Sequence, residues 1–133
     1  MFSWEQLEGI FLAIGRPELT IYRNEKKHIG YEVRIRVNIR ADNIDFLTGI
    51  KNSLEDYNIN SHLKTSESKV RPKPILWVSG ISNIVRLCNQ ISEHLPSSKS
   101  QWDNFRIASL MVYNGEHTTQ EGLDNLLKLK GEL

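Results

Sequence analysis

Leu7-Glu8-Gly9-Ile10-Phe11-Leu12-Ala13-Ile14-Gly15 is a short run that is apolar on almost every side. Both of its ends are marked. Upstream, Ser3 and Gln6 make a Ser-x-x-Gln capping box, with Phe2 and Leu7 at the positions of a hydrophobic staple, so the pattern predicts a helix from about Trp4. Downstream, Gly15-Arg16-Pro17 ends it. A helix with so little polar surface has to be covered on most sides. Gly9 and Ala13, four residues apart, leave a stripe of small residues that permits close approach by another helix. That helix can belong to this chain or to a second one.

Beyond the helix the period changes from 3.6 to 2. Weak alternation runs from Leu19 to Arg23, and after a polar turn ending at Gly30 it becomes strict. Tyr31, Val33, Ile35, Val37 and Ile39 share one face of a strand; Glu32, Arg34, Arg36, Asn38 and Arg40 share the other. This is a half-buried strand whose outer face is basic. Asp42 or Asn43 can cap a second helix through about Asp56, with Ile44, Leu47, Ile50 and Leu54 as its apolar stripe.

A shorter strand is predicted from about Ser61 to Ser66. The loop 67–73 and Pro74 then lead into Ile75-Leu76-Trp77-Val78, which Ser79-Gly80 ends. Ile84, Leu87, Cys88, Ile91 and Leu95 recur at helical spacing and stop at Pro96, and Trp102, Phe105, Ser109 and Val112 mark a fourth helix ending near Gly115. Thr118-x-x-Glu121 reads as a second capping box, opening a helix with Leu123, Leu126 and Leu127 inward. The order α-β-β-α-β-β-α-α-α predicts an α+β domain, a four-stranded antiparallel sheet covered by helices on one side and open on the other.

Composition bounds the function. At 133 residues the chain is expected to be a single domain, residues 1–133, with a core that needs no staples. No apolar run is long enough to span a membrane, and no secretory signal is visible at the amino terminus, which points to a cytoplasmic, nucleoid or organellar-matrix protein with no membrane partner. The single cysteine, Cys88, excludes an internal disulfide and reads as a small apolar helix residue. His28, His62, His94 and His117 have no ligand spacing, no glycine-rich phosphate loop occurs, and no nucleophile has a recognisable setting; neither metal nor cofactor is expected. Net charge is only +1, but residues 21–40 carry +4 and residues 60–74 carry +3, leaving −6 elsewhere. A basic sheet on an acidic helical body is the charge arrangement of a one-faced nucleic-acid binder.

The opening nonapeptide resembles the LAGLIDADG motif of homing endonucleases, matching at Leu7, Gly9, Ala13 and Gly15 and conservatively at Ile10 and Phe11. The resemblance extends along the chain. Residues 30–39 with 45–51 are similar to the family's second strand and second helix, 77–84 to its fourth strand and third helix, and 117–123 with 127–130 to the carboxy-terminal segment of organellar-type members. It implies an αββαββα domain with additional carboxy-terminal helices. It also implies a homodimer, since two copies of the motif helix pack across a twofold axis and this chain has one; Leu7, Gly9, Ile10, Leu12 and Ala13 would form that interface. The motif's two aspartates are replaced by Leu12 and Ile14, and in the family the final acid, here Ile14, binds the metal at the scissile phosphate.

Metal-assisted hydrolysis needs hard oxygen ligands, and Ile14 offers none. Glu8 lies six residues earlier, about 9 Å along the helix and rotated away, and Glu18 lies beyond Pro17 and the helix end. The expectation is therefore a double-stranded DNA-binding homodimer without cleavage, with no catalytic residue. The rivals are an active endonuclease using an unorthodox site that includes Glu18, an RNA-binding intron maturase, and a sheet that serves protein partners. The expected contact residues begin with Arg34, Arg36, Asn38 and Arg40, spaced by about 7 Å, a geometry and chemistry suited to base edges and phosphates. Thr20, Tyr22 and Asn24 on the first strand and His62, Lys64 and Ser66 on the third would extend that face. Lys26, Lys27, Lys69, Arg71 and Lys73, in turns, would meet phosphates. Trp77 reads better as core than as a stacking platform.

Overall fold

The computed structural model describes residues 1–92 and 100–131. Helix α1 (Trp4–Ile14) leads into strands β1 (Arg16–Arg23) and β2 (Tyr31–Arg40), helix α2 (Ile44–Asp56), strands β3 (His62–Lys64) and β4 (Ile75–Ser79), and helices α3 (Ile81–Ser92), α4 (Ser100–Tyr113) and α5 (Gln120–Gly131). This is the order that the periodicities predict. The strands form one antiparallel sheet ordered β1-β2-β4-β3, so β2 and β4 are central.

One sheet face makes the core. Leu19, Ile35, Val37, Ile39, Leu76 and Val78 are buried beneath Leu47, Ile50 and Leu54 of α2, Ile84, Leu87 and Ile91 of α3, and Trp102, Phe105 and Ala108 of α4. Leu7 and Phe11 fix α1 to this core with no exposed surface; full burial of side chains of this size stabilises by about 1.5–3 kcal/mol each. Phe11, Trp102 and Phe105 meet edge to face, with ring centres 6.5 and 6.1 Å apart. Cys88 is buried in the same core, and loss of hydration pushes its thiol up to about 12, so it packs as an inert apolar group.

The helix caps and buried faces follow the sequence with two changes. Ser3 and Gln6 form the reciprocal box at 3.2 and 2.9 Å. Asn43 rather than Asp42 caps α2, accepting from the Asp45 and Phe46 amides, while Asp42 pairs with Lys73 at 3.1 Å. Gly15 closes α1 by close approach: a Cβ there would stand 2.5 Å from the Phe11 carbonyl oxygen.

The first change is at α5, which does not start from Thr118. A 3-10 turn over Glu116–Thr118 shifts the start by one residue, and the Thr119 hydroxyl accepts from the Gly122 amide at 3.1 Å, so the predicted Thr118/Glu121 box is not formed. The second is that Leu127, predicted inward, is 47% exposed and Leu129 packs against the core instead. Two strand boundaries also move. β1 starts at Arg16 rather than Leu19, because an edge strand tolerates Pro17, and β3 spans three residues rather than reaching Ser66. Leu95 and Pro96, the expected end of α3, and His94 lie outside the described residues.

Candidate nucleic-acid interface

Strand register places side chains on the open sheet face in cross-strand rows. Thr20 faces Arg34, Glu18 faces Arg36 and then Ser79, and Tyr22 faces Glu32. A further row runs Arg16, Asn38, Trp77, His62, and the last runs Arg40, Ile75, Lys64. Rows repeat about 7 Å along the strands and strands about 4.8 Å apart, a spacing that spreads donors over several base pairs. Thus Thr20, Tyr22, Arg34, Arg36, Arg40, His62 and Lys64 converge as the sequence predicts.

Two carboxylates organise the arginines. Glu18 accepts from Arg36 Nε at 2.9 Å and, through its other oxygen, from the Asn38 amide. Glu67, across the sheet, accepts from Arg40 Nε and Nη2 at 2.8 and 2.9 Å and from Arg71 Nη1 at 3.2 Å. The Arg40 hydrogen bonds hold the Glu67 carboxyl below the usual carboxylate range and raise the Arg40 guanidinium. These pairs differ in what they leave free. Arg40 commits its Nε/Nη2 edge, whereas among the described residues Arg36 commits only Nε and keeps both terminal nitrogens. Arg34 lies over the Tyr22 ring, 5.5 Å from its centre, and has no ion pair among the described residues.

Several expected contacts are redirected. Asn38 is 1% exposed and donates to Glu18, so it positions that carboxylate and is not presented to an adenine edge. Arg71 folds back onto Glu67 and the Lys73 and Pro74 carbonyls, closing the loop 67–73 rather than reaching outward. Asn24 donates to Glu32 at 3.0 Å and accepts from the Lys26 amide, which shapes the β1–β2 turn. Hydrogen bonds from Tyr22 first and Asn24 second hold the Glu32 carboxyl low. Lys26, Lys27 and Lys69 are exposed in their turns, Lys73 is shared with Asp42, Lys64 donates to the Glu67 carbonyl at 3.2 Å, and Ser66 is exposed beyond the end of β3.

The sequence reading missed Arg16, Ser79 and the orientation of Trp77. Leu76 and Val78 face the helices, so Trp77 lies half-buried on the open face, its ring 5.6 Å from His62. Ser79, polar and of the same parity, was the available signal.

Helix α1 shows a second surface. Phe2, Gln6, Gly9, Ile10, Ala13, Ile14 and Phe46 line a shallow apolar groove; Ile14 is 42% exposed, and nothing lies within 4 Å of where a Gly9 Cβ would stand. Leu7 does not belong to it. It is fully buried in its own core, because it stands on the helix side turned to the sheet, and Leu12 is partly buried against that core as well. As a cation site the carboxy-terminal end of α1 does not fit: the side chains of Leu12 and Ile14 carry no oxygen, and both oxygens of Glu18 are engaged by Arg36 and Asn38. Among the described residues no three His, Cys, Asp or Glu side chains cluster as metal ligands.

The fold and this face define an α+β chain with an open, cation-rich antiparallel sheet. Its architecture is that of LAGLIDADG homing endonucleases. The homing endonuclease I-TnaI superposes with a TM-score of 0.84 at 18% identity, over 99% of this chain and 88% of that one. The archaeal intron-encoded I-Vdi141I, in complex with DNA, gives 0.83 at 24% identity, over 97% and 80%. The LAGLIDADG homing endonuclease I-LtrWI, bound to its target DNA, gives 0.83 at 18% identity, covering 99% of this chain but 44% of that one. No family profile and no curated protein matches the sequence.

Proposed function

We propose that this chain is a sequence-specific double-stranded DNA-binding protein that acts as a homodimer and does not cleave. The observation that carries the reading is the open sheet face, where Arg34, Arg36 and Arg40 stand along one strand, spread over several base pairs, and two of them are held in place by Glu18 and Glu67. An arginine anchored through Nε keeps its two terminal nitrogens as a fork, the geometry that suits guanine O6 and N7. Arg36 has that arrangement, with Arg34 beside it steadied on the Tyr22 ring, so these two are assigned to base edges. Arg40, with one edge committed, is assigned to the backbone, along with Lys26, Lys27, Lys64 and Lys69.

Similarity to I-Vdi141I and I-LtrWI, both found with DNA, supports duplex DNA as the ligand. The groove on α1 supports the dimer. One copy corresponds to less than half of I-LtrWI, and a second copy docked through Gly9, Ile10, Ala13 and Ile14 would double the cationic sheet. Absence of cleavage rests on Ile14 and on the engagement of Glu18. A regulatory role would follow from occupancy of the site alone.

Selection of bound duplexes from a random pool tests the reading: a twofold-symmetric site is expected from wild-type chain, and Arg36→Ala should relax preference at one symmetric guanine position. Failure to bind any duplex at low salt would overturn it.

A further inference from the structure

We infer that Trp77 reads the 5-methyl group of thymine, which makes it a specificity-determining residue of the sheet face; this rests on the duplex-DNA reading above. Trp77 sits on the open face of β4, one of the two central strands. Its row neighbours are Asn38, withdrawn to Glu18, and His62, whose ring lies 5.6 Å away at 30° and steadies the indole. Ile75, two residues earlier on the same face, is nearly covered, so the indole is the apolar surface presented there. On either side lie open depressions, one lined by Arg36, Arg40, Lys64 and Glu67 among others, the other by Glu32, Arg34, Arg36 and Ser79 among others. An apolar surface thus stands between rows that carry arginine and lysine.

What such a surface can meet is narrow. In a stacked duplex the flat faces of the bases are covered by their neighbours, so an indole in the major groove meets only edges. The edges of guanine, cytosine and adenine present hydrogen-bonding atoms there, and only thymine presents an apolar group, its C5 methyl. A donor-poor indole beside an arginine fork therefore favours an A·T pair next to a G·C pair. Uracil lacks the methyl, and the deep, narrow major groove of A-form RNA does not admit the sheet, so the same contact separates DNA from RNA.

The test uses the duplex most enriched from a random pool, made once with thymidine and once with deoxyuridine at each position in turn. Replacing the contacted thymine should weaken wild-type binding roughly fourfold, and about sixteenfold when both symmetry-related thymines are replaced, the factor that burial of one methyl supplies each time. Trp77→Ala, checked for cooperative unfolding, should bind the thymidine and deoxyuridine duplexes equally. Equal binding of the two duplexes by wild-type chain overturns the inference and leaves the DNA reading intact, and needs no variant. A preference retained in Trp77→Ala, or an enriched pool with no fixed thymine, also overturns it, whereas loss of all duplex binding by wild-type chain overturns the reading beneath it.

Discussion

Replacing Glu67 with glutamine should tighten binding to DNA, although Glu67 is the most heavily hydrogen-bonded acid on the sheet. Its two oxygens hold Arg40 at 2.8 and 2.9 Å, and one of them also meets Arg71 at 3.2 Å. Glutamine keeps the size of the side chain and one accepting oxygen, sets its amide N–H₂ against the other Arg40 donor and removes the charge, so each protomer presents one more uncompensated cation to the duplex. Counterion release then steepens the dependence of log K on log salt by about 0.9 per chain. Extrapolated from a common value near 1 M salt, that slope corresponds to about eightfold tighter binding per chain at ~0.1 M monovalent salt. Fluorescence anisotropy of a labelled random-sequence duplex, titrated at several salt concentrations, reads both quantities. A slope unchanged or shallower in Glu67→Gln would show that Arg40 and Arg71 do not lie in the field of the phosphates, and would refute the placement of the duplex on this face.

Acid should loosen the loop 67–73 in wild-type chain. Glu67 is held below the usual carboxylate range by Arg40, so its contribution is complete above its unfolded value of about 4.3 and is lost as pH falls through the lower folded value. Proteolysis between Ser66 and Pro74 should therefore accelerate on acidification, and Glu67→Gln should be cleaved at a rate that pH changes less. On the homodimer reading proposed above, Ile10→Asp on the α1 groove should leave monomers of 15.4 kDa by sedimentation. Gly15→Ala should lower stability in denaturant by about 1–3 kcal/mol, because the added carbon meets the Phe11 carbonyl.

Periods of 3.6 and 2 carried over long elements made the architecture legible, and local caps at Ser3 and Asn43 fixed two helix starts. The face of β2 was legible for the same reason: a ten-residue strand with five aliphatic or aromatic positions on one side leaves no choice of orientation. Partnership across the sheet was not. Glu67 meets Arg40 from 27 residues away and Glu18 meets Asn38 from 20, and these contacts depend on strand register, which no local pattern encodes. That is why Asn38 and Arg71 read as free donors. β4, with five residues, is too short for alternation to decide which side Trp77 takes. At α5 the Thr-x-x-Glu spacing pointed to Thr118, and the 3-10 turn that instead makes Thr119 the cap has no sequence signal as strong.

Electrophoresis of purified chain with a random-sequence duplex pool in low salt and Mg²⁺ joins binding, stoichiometry and chemistry in one experiment. The expected result is intact DNA, retarded by two chains per duplex and released as salt rises. DNA that migrates freely, or DNA cut in a metal-dependent way, would contradict a duplex-binding dimer whose motif helix ends in Ile14.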